Sequence, residues 1–111
     1  MRQVSDATFE REVLSAQGPV VVDFWAPWCH PCRAVTSILE EIDSGGSAGA
    51  RFVALNVDEN PVSAARNHVL SLPTVIVFDG GEARGRLEGA QRRKTLERVL
   101  ADWVGPERRI S

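Results

Sequence analysis

Val20-Val21-Val22-Asp23-Phe24-Trp25-Ala26-Pro27-Trp28-Cys29-His30-Pro31-Cys32 is the stretch in which the chain changes pattern most sharply. Val20 to Trp25 is apolar, β-branched or aromatic except for one carboxylate, and it is too short for a buried helix. It reads as a central strand covered on both faces. Ala26-Pro27-Trp28 then turns the chain. Val35, Ile38, Leu39 and Ile42 follow at helical spacing and predict a helix from about Cys29 to Asp43, with Cys29 and Cys32 at its first turn.

These are the only two cysteines, and two residues separate them. Closing so short a loop constrains an unfolded chain very little, so a disulfide here is a poor structural staple. Metal binding and redox chemistry remain. Cys29, Cys32 and His30 are all possible metal ligands, but a closed tetrahedral site needs four. The other histidine is His68 and no second C-x-x-C exists, so a metal would have to be bridged between two chains. Redox chemistry needs only the pair. Residues three apart on a helix have Cβ atoms about 5–6 Å apart and a disulfide wants about 4 Å, so a small adjustment lets the bond open and close. The helix N-terminus supplies unpaired N–H groups and a positive dipole end, both of which stabilise a thiolate. Cys29, expected to be exposed ahead of the helix interior, is assigned as the nucleophile; Cys32 then attacks the mixed disulfide that Cys29 forms. Pro31 fixes φ between them and offers no donor.

Upstream, a first helix is expected to start at Ser5 or Asp6, both good N-caps, with Phe9, Val13 and Leu14 on one face and Gly18-Pro19 as its stop. Downstream, Ser44 to Gly49 is a flexible loop within one fold. Arg51 to Val57 reads as a second buried strand, and Asn60-Pro61 opens a short helix through about Asn67. Val75 to Phe78 is a further strand. Asp79-Gly80-Gly81-Glu82 is a hairpin-type turn leading into Ala83 to Glu88. Leu96, Val99, Leu100 and Trp103 repeat at i, i+3, i+4, i+7 and define a last amphipathic helix. The fold class is therefore α/β.

With 111 residues, 43% hydrophobic and 25% charged, the chain is expected to be a single domain spanning 1–111. A net charge of −2 with interspersed signs argues against nucleic acid or an anionic membrane as partner. No apolar stretch approaches the roughly 20 residues that span a bilayer. The start Met1 to Asp6 lacks the apolar core of a secretory signal, so cytoplasmic residence is the default expectation.

Val22-Asp23-Phe24-Trp25-Ala26-Pro27-Trp28-Cys29-x-Pro31-Cys32-Arg33 resembles the active-site signature of the thioredoxin family. Asn56 to Pro61, Leu72-Pro73-Thr74, Phe78 to Glu82 and Gly89-Ala90 match in order and spacing as well, so the resemblance covers nearly the whole chain; only the first strand, around Met1 to Val4, looks shortened. It implies the thioredoxin fold, a central mixed sheet of four to five strands flanked by about four helices. It implies a protein-disulfide reductase with no cofactor beyond its redox-active Cys29–Cys32 disulfide. The implied partners are disulfide-containing client proteins and, as electron donor, a flavin-dependent thioredoxin reductase, with the chain itself a monomer. Asp23, a carboxylate that burial pushes toward its neutral form, is implied to lie beneath Cys32 and shuttle its proton; a satisfied buried Asp with no catalytic task is the plainer alternative. Pro73 is implied to be cis beside the dithiol, with the backbone of Leu72 free to pair with an extended substrate. Trp28, Gly89 and Ala90 resemble the apolar rim on which clients dock, and His30 and Pro31 adjoin it. Trp25 is assigned to the core or its margin.

Three positions depart from the family pattern. His30 stands where glycine is typical, and a cationic imidazole beside Cys29 favours its thiolate and a more oxidising protein. Ala54 replaces a lysine that often neighbours the buried Asp, leaving Asp23 without a cation to stabilise its charge. Ser37 replaces a helix-kinking proline. The competing functions are a dedicated oxidase or isomerase, favoured by His30, and a binding module in which the dithiol is incidental.

Overall fold

The computed structural model of the chain describes residues 1–46 and 49–104. The run Val20–Trp25 does form a covered strand, because its alternate side chains meet apolar partners on both sides. Five strands make one sheet: β1 (Arg2–Val4), β2 (Val20–Trp25), β3 (Arg51–Asn56), β4 (Thr74–Asp79) and β5 (Glu82–Glu88). Their order is β1-β3-β2-β4-β5. β3 runs parallel to β1 and β2, while β4 is antiparallel to both β2 and β5. The helices among the described residues are a π-helical segment (Glu10–Leu14), α1 (His30–Ser44), α2 (Pro61–Arg66) and α3 (Arg93–Leu100). This is the mixed sheet flanked by helices that the sequence resemblance implies, and the first strand is indeed short.

The alternation of β2 divides the core. Val20, Val22 and Phe24 face Phe9 and Val13 of the first helical segment, with Phe78 edge-on to Phe9. Val21 faces the other way, against Val35 and Leu39 of α1 and Leu96 and Leu100 of α3. Asp23 stands two residues beyond Val21 and therefore points to the α1 side. That parity puts the single strand carboxylate under the helix that carries the cysteines.

The hairpin between β4 and β5 turns on Gly80 and Gly81, both at positive φ (65° and 81°), as a tight two-residue turn demands. A Cβ on Gly81 would come within 3.0 Å of the Leu14 carbonyl oxygen. The last helix is shorter than its apolar repeat: α3 ends at Leu100, and Trp103 follows in a turn, its indole against Gly85. The repeat predicted a helix through Trp103 and overran its end. His68 lies just after α2, exposed and at φ 55°. Glu107 to Ser111, read from sequence as a polar tail, lies outside the described residues, as do Ser47 and Ala48 of the glycine-rich loop.

The start of the first helix is a correction. Neither Ser5 nor Asp6 caps it: Ser5 closes a turn with Thr8, and the helical segment begins after Phe9. Asp6 instead reaches α2, where its carboxylate accepts hydrogen bonds from the N–H groups of Val62 (3.1 Å) and Ser63 (2.8 Å). Its own N–H donates to Asn60 Oδ1 at 2.7 Å. Asp6 thus does for α2 what an N-cap side chain does, from a distant part of the chain. Partial burial pushes its pKa up, but the Ser63 and Val62 hydrogen bonds and the charge of Arg66 outweigh that and hold it below the ordinary value. Asp6→Ala is expected to cost about 1 kcal/mol of stability by chemical denaturation at neutral pH. Because the folded pKa is depressed, that difference holds above the unfolded value and shrinks as pH falls through the folded one.

Candidate functional site

β2 ends at Trp25, and the turn closes when Cys29 N–H donates to the Ala26 carbonyl at 3.0 Å. Cys29 is the N-cap of α1, with extended backbone (φ −86°, ψ 99°). His30 and Pro31 occupy the first two helical positions and are exposed. Cys32 follows in the first turn, and its Sγ is bonded to that of Cys29 with the Cα atoms 5.4 Å apart. No acidic residue lies in the first turn of α1, so nothing there offsets the positive end of the helix.

One expectation about the pair fails. Cys29 is not exposed: it is 4% accessible against 2% for Cys32. Ala26 packs against both cysteines, and Trp25, Val57 and Leu72, from three separate segments, cover them. Exposure therefore does not separate the two sulfurs in the disulfide state, and their difference is one of position. Cys29 sits at the helix boundary, whereas Cys32 lies in the first turn.

Asp23 is fully buried. It lies in register with Ala54 on β3 and Val75 on β4, both apolar. One carboxylate oxygen, Oδ2, accepts a hydrogen bond from the Thr36 hydroxyl of α1 at 2.5 Å. The other, Oδ1, has no partner among the described residues. Burial pushes the pKa of Asp23 up to about 6; Thr36 acts to lower it, the charge of Glu40 raises it, and the N-terminal ammonium lowers it. That ammonium is paired with Glu40 at 3.4 Å. Ala54 thus leaves the carboxylate with a hydroxyl where a lysine would have supplied charge. A cavity of about 340 Å³ is lined by its neighbours Thr36 and Ala54 and by Cys29, Cys32, Glu40 and Gln3 among others. α1 runs unbroken through Ser37, in accord with the absence of a proline there.

Of the remaining predicted site residues, Leu72 is the one packed against the cysteine pair. The Leu72–Pro73 bond is cis, Pro73 is buried, and Leu72 packs in the cysteine cluster. Gly89 N–H donates to the Pro73 carbonyl at 2.8 Å, tying the end of β5 to this loop, and Ala90 beside it is exposed. Trp28 is 68% accessible, with its indole N–H donating to Asp58 at 3.1 Å. Trp25 is at the core margin, and its indole donates to Gln3.

Thr36 and Asp58 were missed from sequence. Thr36 had a signal, being four residues after Cys32 and so on the same helix face. Asp58, thirty residues from Trp28, had none. Among the described residues no three His, Cys, Asp or Glu side chains converge as a metal site requires, and no helix is long and apolar enough to cross a membrane.

Comparison with known proteins agrees with this geometry. The family model described as Thioredoxin matches residues 1–102. A thioredoxin of Synechocystis sp. is 42% identical over 102 residues, covering 92% of this chain and 95% of the relative. Thioredoxin 1 of Nostoc sp. is 43% identical over 98 residues, covering 88% and 92%. A bifunctional thioredoxin reductase/thioredoxin of Mycobacterium leprae is 45% identical over 102 residues, 92% of this chain and 22% of that longer protein. With its Cys29–Cys32 disulfide at the head of α1 and a mixed five-stranded sheet behind it, the chain belongs to the thioredoxin family.

Proposed function

We propose that this thiol–disulfide oxidoreductase works as a reductant of protein disulfides, with Cys29 as nucleophile, Cys32 as resolving thiol and Asp23 as the carrier of the Cys32 proton. The observation that carries the reading is the position of the pair: Cys29 caps α1, where the dipole and free N–H groups favour a thiolate, and Cys32 lies within the first turn beyond it. The Cys29 thiolate attacks a client disulfide, forms a mixed disulfide and releases one client thiolate. Cys32 loses its proton to Asp23 and attacks Cys29 Sγ; the Cys29–client bond breaks and the second client thiolate leaves. Two electrons pass from the dithiol to the client, and no metal or organic cofactor takes part.

The client is read as an extended segment lying over Trp28, His30, Pro31, Leu72, Pro73, Gly89 and Ala90, and paired with the Leu72 backbone. A flavin-dependent thioredoxin reductase restores the dithiol, a reading supported by the relative whose name joins the two activities in one chain. The protein acts as a cytoplasmic, single-domain monomer.

The exposed His30 beside Cys29 favours a second reading, an oxidase or isomerase. Equilibrating the dithiol with glutathione separates the two: reductants of this class lie near about −270 mV and oxidising or isomerising ones at about −120 to −180 mV. His30→Gly is expected to make the pair more reducing by at most about 20 mV, since an exposed charge contributes up to about 1 kcal/mol and about 1.4 kcal/mol corresponds to 30 mV. Equal potentials in the two proteins refute any effect of the imidazole.

A further inference from the structure

The Thr36 hydroxyl occupies one oxygen of a fully buried carboxylate while the other is left without a partner. We propose that Thr36 is a positioning residue for exchange at Cys32: by holding Asp23 Oδ2 it reserves Oδ1 for the proton that Cys32 gives up. The proposal rests on the reading of Asp23 as the proton carrier.

Several features of the structure converge on this assignment. Thr36 lies four residues after Cys32 on α1, so the two side chains share the helix face that looks down on β2. Its β-branched side chain is restricted at χ1, so the hydroxyl is delivered to a definite place. At 2.5 Å the contact is at the short end for O–H···O, as expected for a hydroxyl donating to a carboxylate. A free carboxylate rotates about χ2 and presents either oxygen; one held at Oδ2 presents only the other. The neighbours leave Thr36 no rival. Ala54 and Val75 flank Asp23 from β3 and β4 with no polar atoms in their side chains. From α1 the other charged group bearing on it is Glu40, and from the β1 side the N-terminal ammonium, itself engaged by Glu40. A cavity is lined by Cys32 together with Thr36 and Ala54, the two neighbours of Asp23 on α1 and β3.

In the step concerned, Cys32 Sγ–H transfers its proton to Oδ1, and the new thiolate forms a bond to Cys29 Sγ. The Cys29–client S–S bond breaks, and its electron pair leaves on the client sulfur. Thr36 neither gains nor loses a proton. Its hydrogen bond is stronger to the ionised carboxylate, so it also keeps more Asp23 in the proton-accepting form at a given pH.

The test loads Cys29 with 2-nitro-5-thiobenzoate as the leaving thiol and follows its release by Cys32 from pH 5 to 9 in wild type, Thr36→Val, Thr36→Ser and Asp23→Asn. The Asp23 carboxyl is titrated by carbon NMR in the first three. Thr36→Val is expected to raise the Asp23 midpoint by about one pH unit and to move the acid limb of the release profile with it, slowing release about fivefold at pH 6. Thr36→Ser restores both. If Thr36→Val leaves midpoint and profile unchanged while Asp23→Asn abolishes the acid limb, the role of Thr36 is overturned and that of Asp23 stands. If Asp23→Asn releases the thiol with the wild-type profile, Asp23 is not the carrier and the proposal falls with it. Thr36→Ala serves the same comparison should the valine disturb packing, with thermal melts confirming that each variant is folded.

Discussion

Cys32→Ser is expected to arrest the reaction as a covalent complex with client protein through Cys29, and Cys29→Ser to form no complex at all. Both variants should lose multiple turnover by about a thousandfold or more, the order of loss when a nucleophile is removed from a covalent mechanism. The asymmetry follows from position. Cys29 caps α1, so its thiolate has the helix end to stabilise it, whereas Cys32 lies inside the first turn and is buried. With serine at 32 the mixed disulfide forms, but an oxygen cannot resolve it. With serine at 29 the thiol that remains is the buried one inside the helix, away from the cap position. Gel analysis under non-reducing conditions, after alkylation of remaining thiols, reads both outcomes. Complexes formed through Cys32 in the Cys29→Ser protein would reverse the assignment. Partners retained equally by a protein lacking both cysteines would mark the fold as a binding module.

The chemistry at the head of α1 was legible because it is local. Two cysteines three positions apart, ahead of an apolar repeat of period 3.6, define a dithiol at a helix N-terminus without knowledge of any distant contact. The strand parity that turns Asp23 toward α1 is likewise readable, since it follows from counting along Val20–Trp25. What failed depended on distant packing. Cys29 is buried because Val57 and Leu72 close over it, and neither is near it in sequence. Asp6 satisfies the helix-start rule at its own position, yet the N–H groups it serves are 56 and 57 residues away. Asp6 therefore shows that capping chemistry identifies a donor or acceptor seeking a helix end, without saying which helix. Thr36 is the intermediate case. Its spacing from Cys32 was visible, but a threonine on a helix face carries no mark of function until the carboxylate opposite is known to be buried with one oxygen unpaired.

Asp23 should also govern stability, and the sign can be worked out. Its folded pKa is raised to about 6 from an ordinary value of 3.8, burial being the main cause. Between these values the unfolded chain has ionised and the folded one still holds its proton. Each further pH unit then favours the unfolded state by about 1.4 kcal/mol. The favourable contribution is fully present below 3.8 and is lost as pH rises through about 6, beyond which the folded protein carries a buried charge. Over the whole window the loss is about 3 kcal/mol. Asp23→Asn removes the charge while keeping an acceptor for the Thr36 hydroxyl, so the variant should be the more stable protein at pH 8. Its amide N–H groups find no acceptor at the Oδ1 position, which offsets part of the gain. The net effect expected at pH 8 is therefore about 2 kcal/mol, raising Tm by roughly 10 °C. The offset is independent of pH. The difference between the stability gain at pH 8 and that at pH 4 should accordingly recover about 2.4 kcal/mol of that loss, the unfolded carboxyl being already more than half ionised at pH 4, and denaturant titrations of the two proteins at both pH values measure it directly. The same substitution should slow resolution by Cys32. A variant more stable than wild type and slower in exchange is what a carboxylate kept buried for its chemistry requires, whereas an Asp placed for structure alone would lose stability on replacement and leave the exchange rate unchanged.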